Sequence, residues 1–261
     1  MPERTPFVGG NWKMNTNRTT GSDLTRGVTD GLMNVDGVEV GVFPPFPYLL
    51  TVRAILRDRG STVKLGAQDM YHQNDGAFTG EVSINMLKDC GTQMVLCGHS
   101  ERRHILGEKD EVVNRKLRAV LDGGLTGILC VGETLEERIA GHQDIVTARQ
   151  VRTGLAEIPA SHAERLIIAY EPVWAIGTGK TATPQDAQDA HAAIRAMIRR
   201  MYNTDIAGRM RIIYGGSLKP DTAPEIFAQP DVDGGLVGGA SLNAADFVEI
   251  CKAAAAAKRT S

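Results

Sequence analysis

The feature that most constrains this 261-residue chain is a repeat. Runs rich in Val, Ile and Leu recur at intervals of roughly thirty residues, the spacing of strand-helix units. They are PFVGGN from residue 6, VEVGVF from 38, VKLGAQ from 63, MVLCGH from 94, TGILCVG from 126, RLIIAYE from 165, MRIIYGG from 210 and DGGLVGG from 233. Their apolar character is continuous rather than alternating, which marks strands buried on both faces of a parallel sheet. Helical patterns separate them. In the clearest, from Thr183 to Met201, Thr183 can cap, Pro184 takes the first turn and Asp186 sits near the positive helix end. Ala187, Ala190, Ile194, Met197, Ile198 and Met201 then share one face. Eight such units without a Pro/Ser-rich linker predict an α/β fold, a closed (β/α)8 barrel of parallel strands, with residues 1–261 as a single domain. The alternative, an open doubly wound sheet, lacks its Gly-x-Gly-x-x-Gly loop after the first strand.

Composition removes several classes of function. Lys and Arg number 29 against 31 Asp and Glu, the net charge is −2, and no basic run could track a phosphate backbone, so nucleic-acid binding is not expected. The segment MPERTPFVGG has no apolar core of signal-peptide type, and no window approaches the roughly 18 apolar residues that would span a bilayer. A soluble, cytoplasmic protein without membrane partners is the expectation. Cys90, Cys97, Cys130 and Cys251 form no CxxC pair, and three of them sit in apolar runs, so neither disulfides nor zinc are expected. His72, His104, His142, His162 and His191 show no ligand spacing, and no metal is called for. The terminal AAAAAKRTS reads as a helix end that frays.

The stretch YEPVWAIGTGKT, residues 170–181, ends in letters resembling a nucleotide-binding P-loop. That motif needs a glycine five residues before its Gly-Lys-Thr, and the position is held by Trp174. An indole cannot supply the positive φ of an anion nest, so nucleoside triphosphate binding is excluded for this stretch.

In a barrel of this kind the C-terminal strand ends carry the active site. The first run ends with Asn11 and Lys13, two apart and so on the same side of an extended chain. The fourth leads to His99 and then Glu101, with a short helix behind them, and the sixth ends at Glu171. The seventh and eighth end in YGGS and GGAS, glycine turns whose amides can cradle a phosphate dianion. Singly, each has an ordinary structural reading: a rim lysine, a hydrogen-bonded core histidine, glycines that relieve packing. Together on one face, a carboxylate, an imidazole, a lysine and two phosphate-type turns are what proton abstraction beside a carbonyl requires.

GGNWKMN, GAFTGEVS, GHSERR, AYEPVWAIGTGK, YGGS and VGGASL resemble, in order and at matching spacing, the signatures of the triosephosphate isomerase family, and the resemblance covers essentially the whole chain. It implies interconversion of dihydroxyacetone phosphate and D-glyceraldehyde 3-phosphate through an enediolate, in glycolysis and gluconeogenesis, with no cofactor. A glutamate base beside a neutral histidine electrophile, for which this family is the standard example, comes from that resemblance and not from the spacing. Glu171 is then the base, His99 the neutral proton shuttle, and Lys13 and Asn11 stabilise the charge that builds on the substrate oxygens. The resemblance likewise makes Pro172, Val173, Trp174, Ala175, Ile176, Gly177, Thr178, Gly179 and Lys180 a lid. Trp174 lies in its leading hinge, and the Gly177 amide meets the phosphate together with Ser217, Gly238 and Gly239. Glu101 is implied as a partner of His99, with a solvated or interface role as the alternative. Cys97, where aliphatic residues are usual, and the uncommon helix SINMLKD depart from the pattern without touching a catalytic role.

A Schiff-base aldolase on the same scaffold would need an inward lysine that the sixth strand lacks. A non-catalytic barrel should have lost at least one of Lys13, His99 or Glu171, and all three are present. The segment MYHQNDGAFTGEVS, residues 70–83, is too polar at its start for a packed helix and too long for a plain turn. A projecting loop with Tyr71, Phe78 and Thr79 at its tip would expose apolar surface of the kind that marks an interface. The resemblance implies a two-fold homodimer, with Thr79 near the partner subunit's Asn11 and Glu81 pairing with the partner subunit's Arg102.

Overall fold

The computed structural model of the chain describes residues 4–176 and 182–257, so the expected lid positions Gly177, Thr178, Gly179 and Lys180 lie outside the described residues. Each apolar run forms one strand: β1 Phe7–Asn11, β2 Glu39–Phe43, β3 Lys64–Ala67, β4 Met94–Cys97, β5 Thr126–Val131, β6 Leu166–Tyr170, β7 Arg211–Tyr214 and β8 Gly234–Val237. Neighbours pair in parallel and in sequence order, and β8 returns to β1 through Phe7↔Gly234 and Gly10↔Val237. The sheet is a closed barrel with no free edge.

Continuous apolarity follows from this closure, because both faces of every strand are covered. In β1 the alternation is visible residue by residue: Phe7 packs inside the barrel with Phe43, Leu96, Ile167 and Leu236, while Val8 joins the layer between strands and helices. The helix Pro184–Met201 begins as the sequence indicates, with Thr183 and Asp186 forming a reciprocal capping box. Its Ala187, Ile194 and Ile198 are buried, while Ala190, Met197 and Met201 pack half-buried against the same core. The same face also buries His191 and Arg195, which a count of apolar positions passes over. Burial pushes the His191 imidazole down to about 4, although its Nδ1 lies 2.6 Å from the Ala187 carbonyl oxygen. The final helix spans Ala244–Ala257 and includes the alanine run; the tail beyond it lies outside the described residues. Among the described residues no helix is long and apolar enough to cross a membrane.

Arg195 belongs to an ionic cluster at the N-terminal end of the barrel, opposite the C-terminal strand ends. Asp233 is fully buried, and its carboxylate accepts from Arg4 Nε at 2.6 Å, from Arg195 at 2.6 Å and from the Ile212 amide at 3.0 Å. Arg195 also donates to the carbonyls of Ala207 and Met210, tying the helix to β7 and β8. Removing the carboxylate would leave the buried Arg4 guanidinium without its acid partner and Arg195 with Asp231 alone, a change that costs about 3–5 kcal/mol. Asp233→Ala is expected to lower the unfolding free energy in guanidinium chloride by that amount; a loss below about 1 kcal/mol would show that the cluster does not clamp these elements.

Candidate active site

Five strand ends, those of β1, β4, β6, β7 and β8, bring the expected side chains to one cavity. It has a volume of about 590 Å³, and Asn11, Lys13, His99, Glu171, Ile176, Ser217, Gly238 and Gly239 all line it. Asn11 and Lys13 meet there by a route other than an extended chain. β1 ends at Asn11, and Lys13 adopts φ 54°, the left-handed region that a side chain with Cβ rarely enters. The backbone there is held from both sides: the Lys13 amide donates to Asn11 Oδ1 at 3.0 Å, and the Lys13 carbonyl accepts from Gln68 Nε2 at 2.8 Å. Gln68 also donates to the Phe43 carbonyl at 2.8 Å, so it bolts the strained residue to β2. Gln68 lies directly after β3, and the strand-end rule that singled out Asn11 and Glu171 applies to it equally. Opposite, Gly238 leaves room for the lysine: a Cβ there would sit 3.3 Å from Lys13 Cε.

The Lys13 ammonium meets Glu101 Oε1 at 2.7 Å, so Glu101 is a direct partner of the lysine. Its other oxygen lies 3.6 Å from His99 Nδ1. His99 occupies the N-cap of the short helix Ser100–His104, where Nδ1 accepts from the Glu101 amide at 3.3 Å. That bond requires a lone pair on Nδ1 and places the proton of a neutral ring on Nε2. Nε2 lies 2.9 Å from Glu171 Oε1, and Glu171 Oε2 accepts from the Ser100 amide at 2.8 Å. Both oxygens of this 2 % exposed carboxylate are therefore engaged.

Charge and burial compete at this contact. Burial favours the neutral His99 ring, but the charge and hydrogen bond of Glu171, helped by Glu101, outweigh it and hold the imidazole pKa above its ordinary value. For Glu171, burial opposes ionisation, and His99, the Ser100 amide and Lys13 outweigh it and hold the carboxyl below the usual range. The amide-to-Nδ1 bond pulls the ring towards neutrality and the carboxylate pulls it towards the cation, so the ring's charge follows the position of Glu171.

The β7 turn makes room for Glu171 and for the segment after it. A Cβ on Gly215 would lie 2.8 Å from Glu171 Cγ, and one on Gly216 would lie 2.9 Å from Pro172 Cγ. Val173–Ala175 then form a single 3-10 turn, with Trp174 8 % exposed. Trp174 Nε1 donates to Glu133 Oε1 at 2.8 Å, Tyr170 donates its hydroxyl to the same carboxylate at 3.1 Å, and the Arg138 guanidinium lies 4.4 Å over the indole. Arg138 also pairs with Glu133 at 3.1 Å and Asp186 at 2.6 Å. Glu133 was not singled out by the sequence because it sits beyond β5 among ordinary polar residues. Its only local signal is the strand end itself.

The segment 71–82 is largely exposed and is pinned at its ends by the Tyr71 amide donating to the Val82 carbonyl at 2.8 Å. Phe78 is 40 % exposed, its ring 4.7 Å from that of Tyr71, and Thr79 and Glu81 are exposed. Arg102 pairs within its own chain, with Asp69 at 3.0 Å and Glu108 at 3.4 Å, and keeps a partly exposed side chain. Among the described residues no cluster of His, Cys, Asp and Glu could hold a metal ion.

Residues 6–254 match the family described as Triosephosphate isomerase. The chain belongs to the triosephosphate isomerase family. The triosephosphate isomerase of Carboxydothermus hydrogenoformans is 51% identical over 249 residues, covering 95% of this chain and 98% of that protein. That of Chloroflexus aurantiacus is 51% identical over 247 residues, with coverage of 95% and 98%. The isomerase of Syntrophotalea carbinolica is 48% identical over 249 residues. As a triosephosphate isomerase, the chain interconverts dihydroxyacetone phosphate and glyceraldehyde 3-phosphate, a step of glycolysis.

The coupling of His99 and Glu171 has a sign that can be measured. Glu171, with its folded pKa depressed, contributes stability that is present above the usual carboxylate range and lost as pH falls through the depressed value. His99→Gln removes the charge partner and leaves the carboxyl buried, so the Glu171 titration should move upward. Denaturation midpoints followed from roughly pH 3 to 7 should show the variant losing stability at higher pH than the parent. Superimposable acid limbs would refute the coupling.

Proposed function

We propose that Glu171 is the catalytic base and carries a proton between C1 and C2 of the triose phosphate. The observation behind this reading is that the base, His99 Nε2, Lys13 and the two glycine turns all face one cavity. Abstraction of the C1 proton of dihydroxyacetone phosphate moves an electron pair towards the C2 carbonyl oxygen. His99 Nε2–H donates to that oxygen and shuttles protons between the two substrate oxygens, while Lys13 and Asn11 stabilise the developing enediolate. Return of the proton from Glu171 to C2 completes glyceraldehyde 3-phosphate.

Because both Glu171 oxygens are engaged at rest, the base must leave His99 and Ser100 to reach carbon. Leaving removes the charge that raises the ring's pKa, so the move that frees the base also favours the neutral donor. Lys13, now paired with Glu101, is the cation within reach of the oxygens. Ser217 and the amides of Gly238 and Gly239 receive the phosphate, joined by Gly177 of the lid, which spans Pro172 to Lys180 and hinges at Trp174. The whole chain, 1–261, works as one cytoplasmic domain. It pairs as a homodimer through Phe78, Thr79, Glu81 and Arg102, with the projecting loop bracing the partner's first-strand turn.

Lys13→Met preserves chain length and removes the cation, and is expected to lower kcat by on the order of a hundredfold or more with an unchanged circular dichroism spectrum. A folded variant with near-normal turnover in an assay with glyceraldehyde 3-phosphate would remove Lys13 from the chemistry.

Replacing Phe78 and Thr79 together by Asp should give a folded monomer whose turnover falls on the order of a hundredfold, because a displacement of about 1 Å at Lys13 suffices for that. An intact dimer in sedimentation, or a fully active monomer, would each oppose the assembly.

A further inference from the structure

The mouth of the cavity carries charges that the chemistry leaves unused. Lys219, Asp221 and Asp246 line it beside Ser217 and the Gly238–Gly239 turn, on the side proposed for the phosphate. Lys219 and Asp221 are exposed and Asp246 is half-buried, and among the described residues none of the three forms an ion pair. The remaining cavity cation, Lys13, is already paired with Glu101. A substrate that is a phosphate dianion near neutral pH thus approaches a protein of net charge −2 through a rim of one free cation and two free carboxylates.

We infer that these rim charges set the rate at which the dianionic substrate is captured: Lys219 draws the phosphate in, and Asp221 and Asp246 hold it off. Lys219 is suited to act at a distance. Its backbone is fixed by the Lys219 amide donating to Thr222 Oγ1 at 3.2 Å and by the Ala223 amide donating to the Lys219 carbonyl at 2.9 Å, so the side chain can change while the turn stays put. Asp246 lies in the first turn of the helix Ala244–Ala257 and Asp221 in the loop after β7, so an Asn at either place removes charge with little change of shape. A unit charge acting on a dianion across on the order of 10 Å of water alters an encounter rate about three- to fourfold at low salt. The Debye length shrinks from about 30 Å at 0.01 M salt to about 3 Å at 1 M, which abolishes the effect.

The inference rests on reading this cavity as the active site, and kcat and kcat/KM with glyceraldehyde 3-phosphate, measured from about 0.01 to 0.5 M sodium chloride, separate the two. Lys219→Gln is expected to lower kcat/KM about threefold at the lowest salt, and Asp246→Asn and Asp221→Asn to raise it, with kcat unchanged in all three. The variants should converge on the parent at high salt, and Lys219→Arg should restore parental capture. A salt-independent deficit, a parallel fall in kcat, or shifts of the same sign for the lysine and aspartate variants would overturn the steering role. An active Glu171→Gln enzyme would instead overturn the site, whereas an inactive one alongside unchanged rim variants would leave the site standing and steering refuted.

Discussion

Closure of the sheet through β8 and β1 is the constraint on which everything else in this structure depends. A parallel ladder that returns to its start has no unpaired edge, but it requires every strand to be covered on both faces. The inner face is filled by Phe7, Phe43, Met94, Ile167 and their neighbours, and the outer by the ring of helices. A rigid cylinder then presents its strand ends at one rim. Asn11, His99 and Glu171 are far apart in sequence, and closure alone makes them neighbours.

The two rims divide the labour. At the N-terminal rim Arg4, Arg195 and Asp233 satisfy one another and the surrounding carbonyls, a cluster whose members are all committed. At the C-terminal rim the groups are held by fewer and more exchangeable contacts. The Glu171 oxygens rest on His99 and on a backbone amide, and the Lys13 ammonium on a carboxylate that is itself 44% exposed. Each of those partners can be traded for a substrate oxygen or proton without leaving a buried charge alone. Stabilising the same side chains more firmly would oppose the reaction proposed for them.

The fold was legible because its signal is repeated. Eight continuous apolar runs and a capped helix at Thr183–Met201 are local statements, and each stands where the sequence puts it. Strand-end positions made Asn11, His99 and Glu171 legible as well. Lys13 reaches the cavity through a left-handed turn instead of an extended strand, a geometry held by Gln68 from the end of β3, two strands away, and invisible to any count along β1. Glu133 shows the same limit of local pattern. Its importance comes from Tyr170, Trp174 and Arg138 converging on it, and no spacing within the chain encodes that convergence. His191 and Arg195 on an otherwise apolar helix face show the converse, polar residues that burial made part of the scaffold.

Glu171 sits at the meeting point of these constraints. A carboxylate this deeply buried would ordinarily take up a proton and cease to be a base, since burial disfavours its charged form. Placing it in water would keep it ionised, but hydration would then have to be stripped before it could take a proton from carbon. The rim solves both requirements with one contact set: His99, the Ser100 amide and the Lys13 charge keep the carboxylate ionised in a dry place. The glycines of the β7 turn keep that place open, because a Cβ at Gly215 would press on Glu171 Cγ at 2.8 Å. In the reaction proposed above, the carboxylate exchanges its histidine partner for the proton on the substrate carbon without passing through solvent. On the proposed mechanism the resting contact is thus a storage position for an unsolvated base, and the neutral state of His99 is what remains when that base departs.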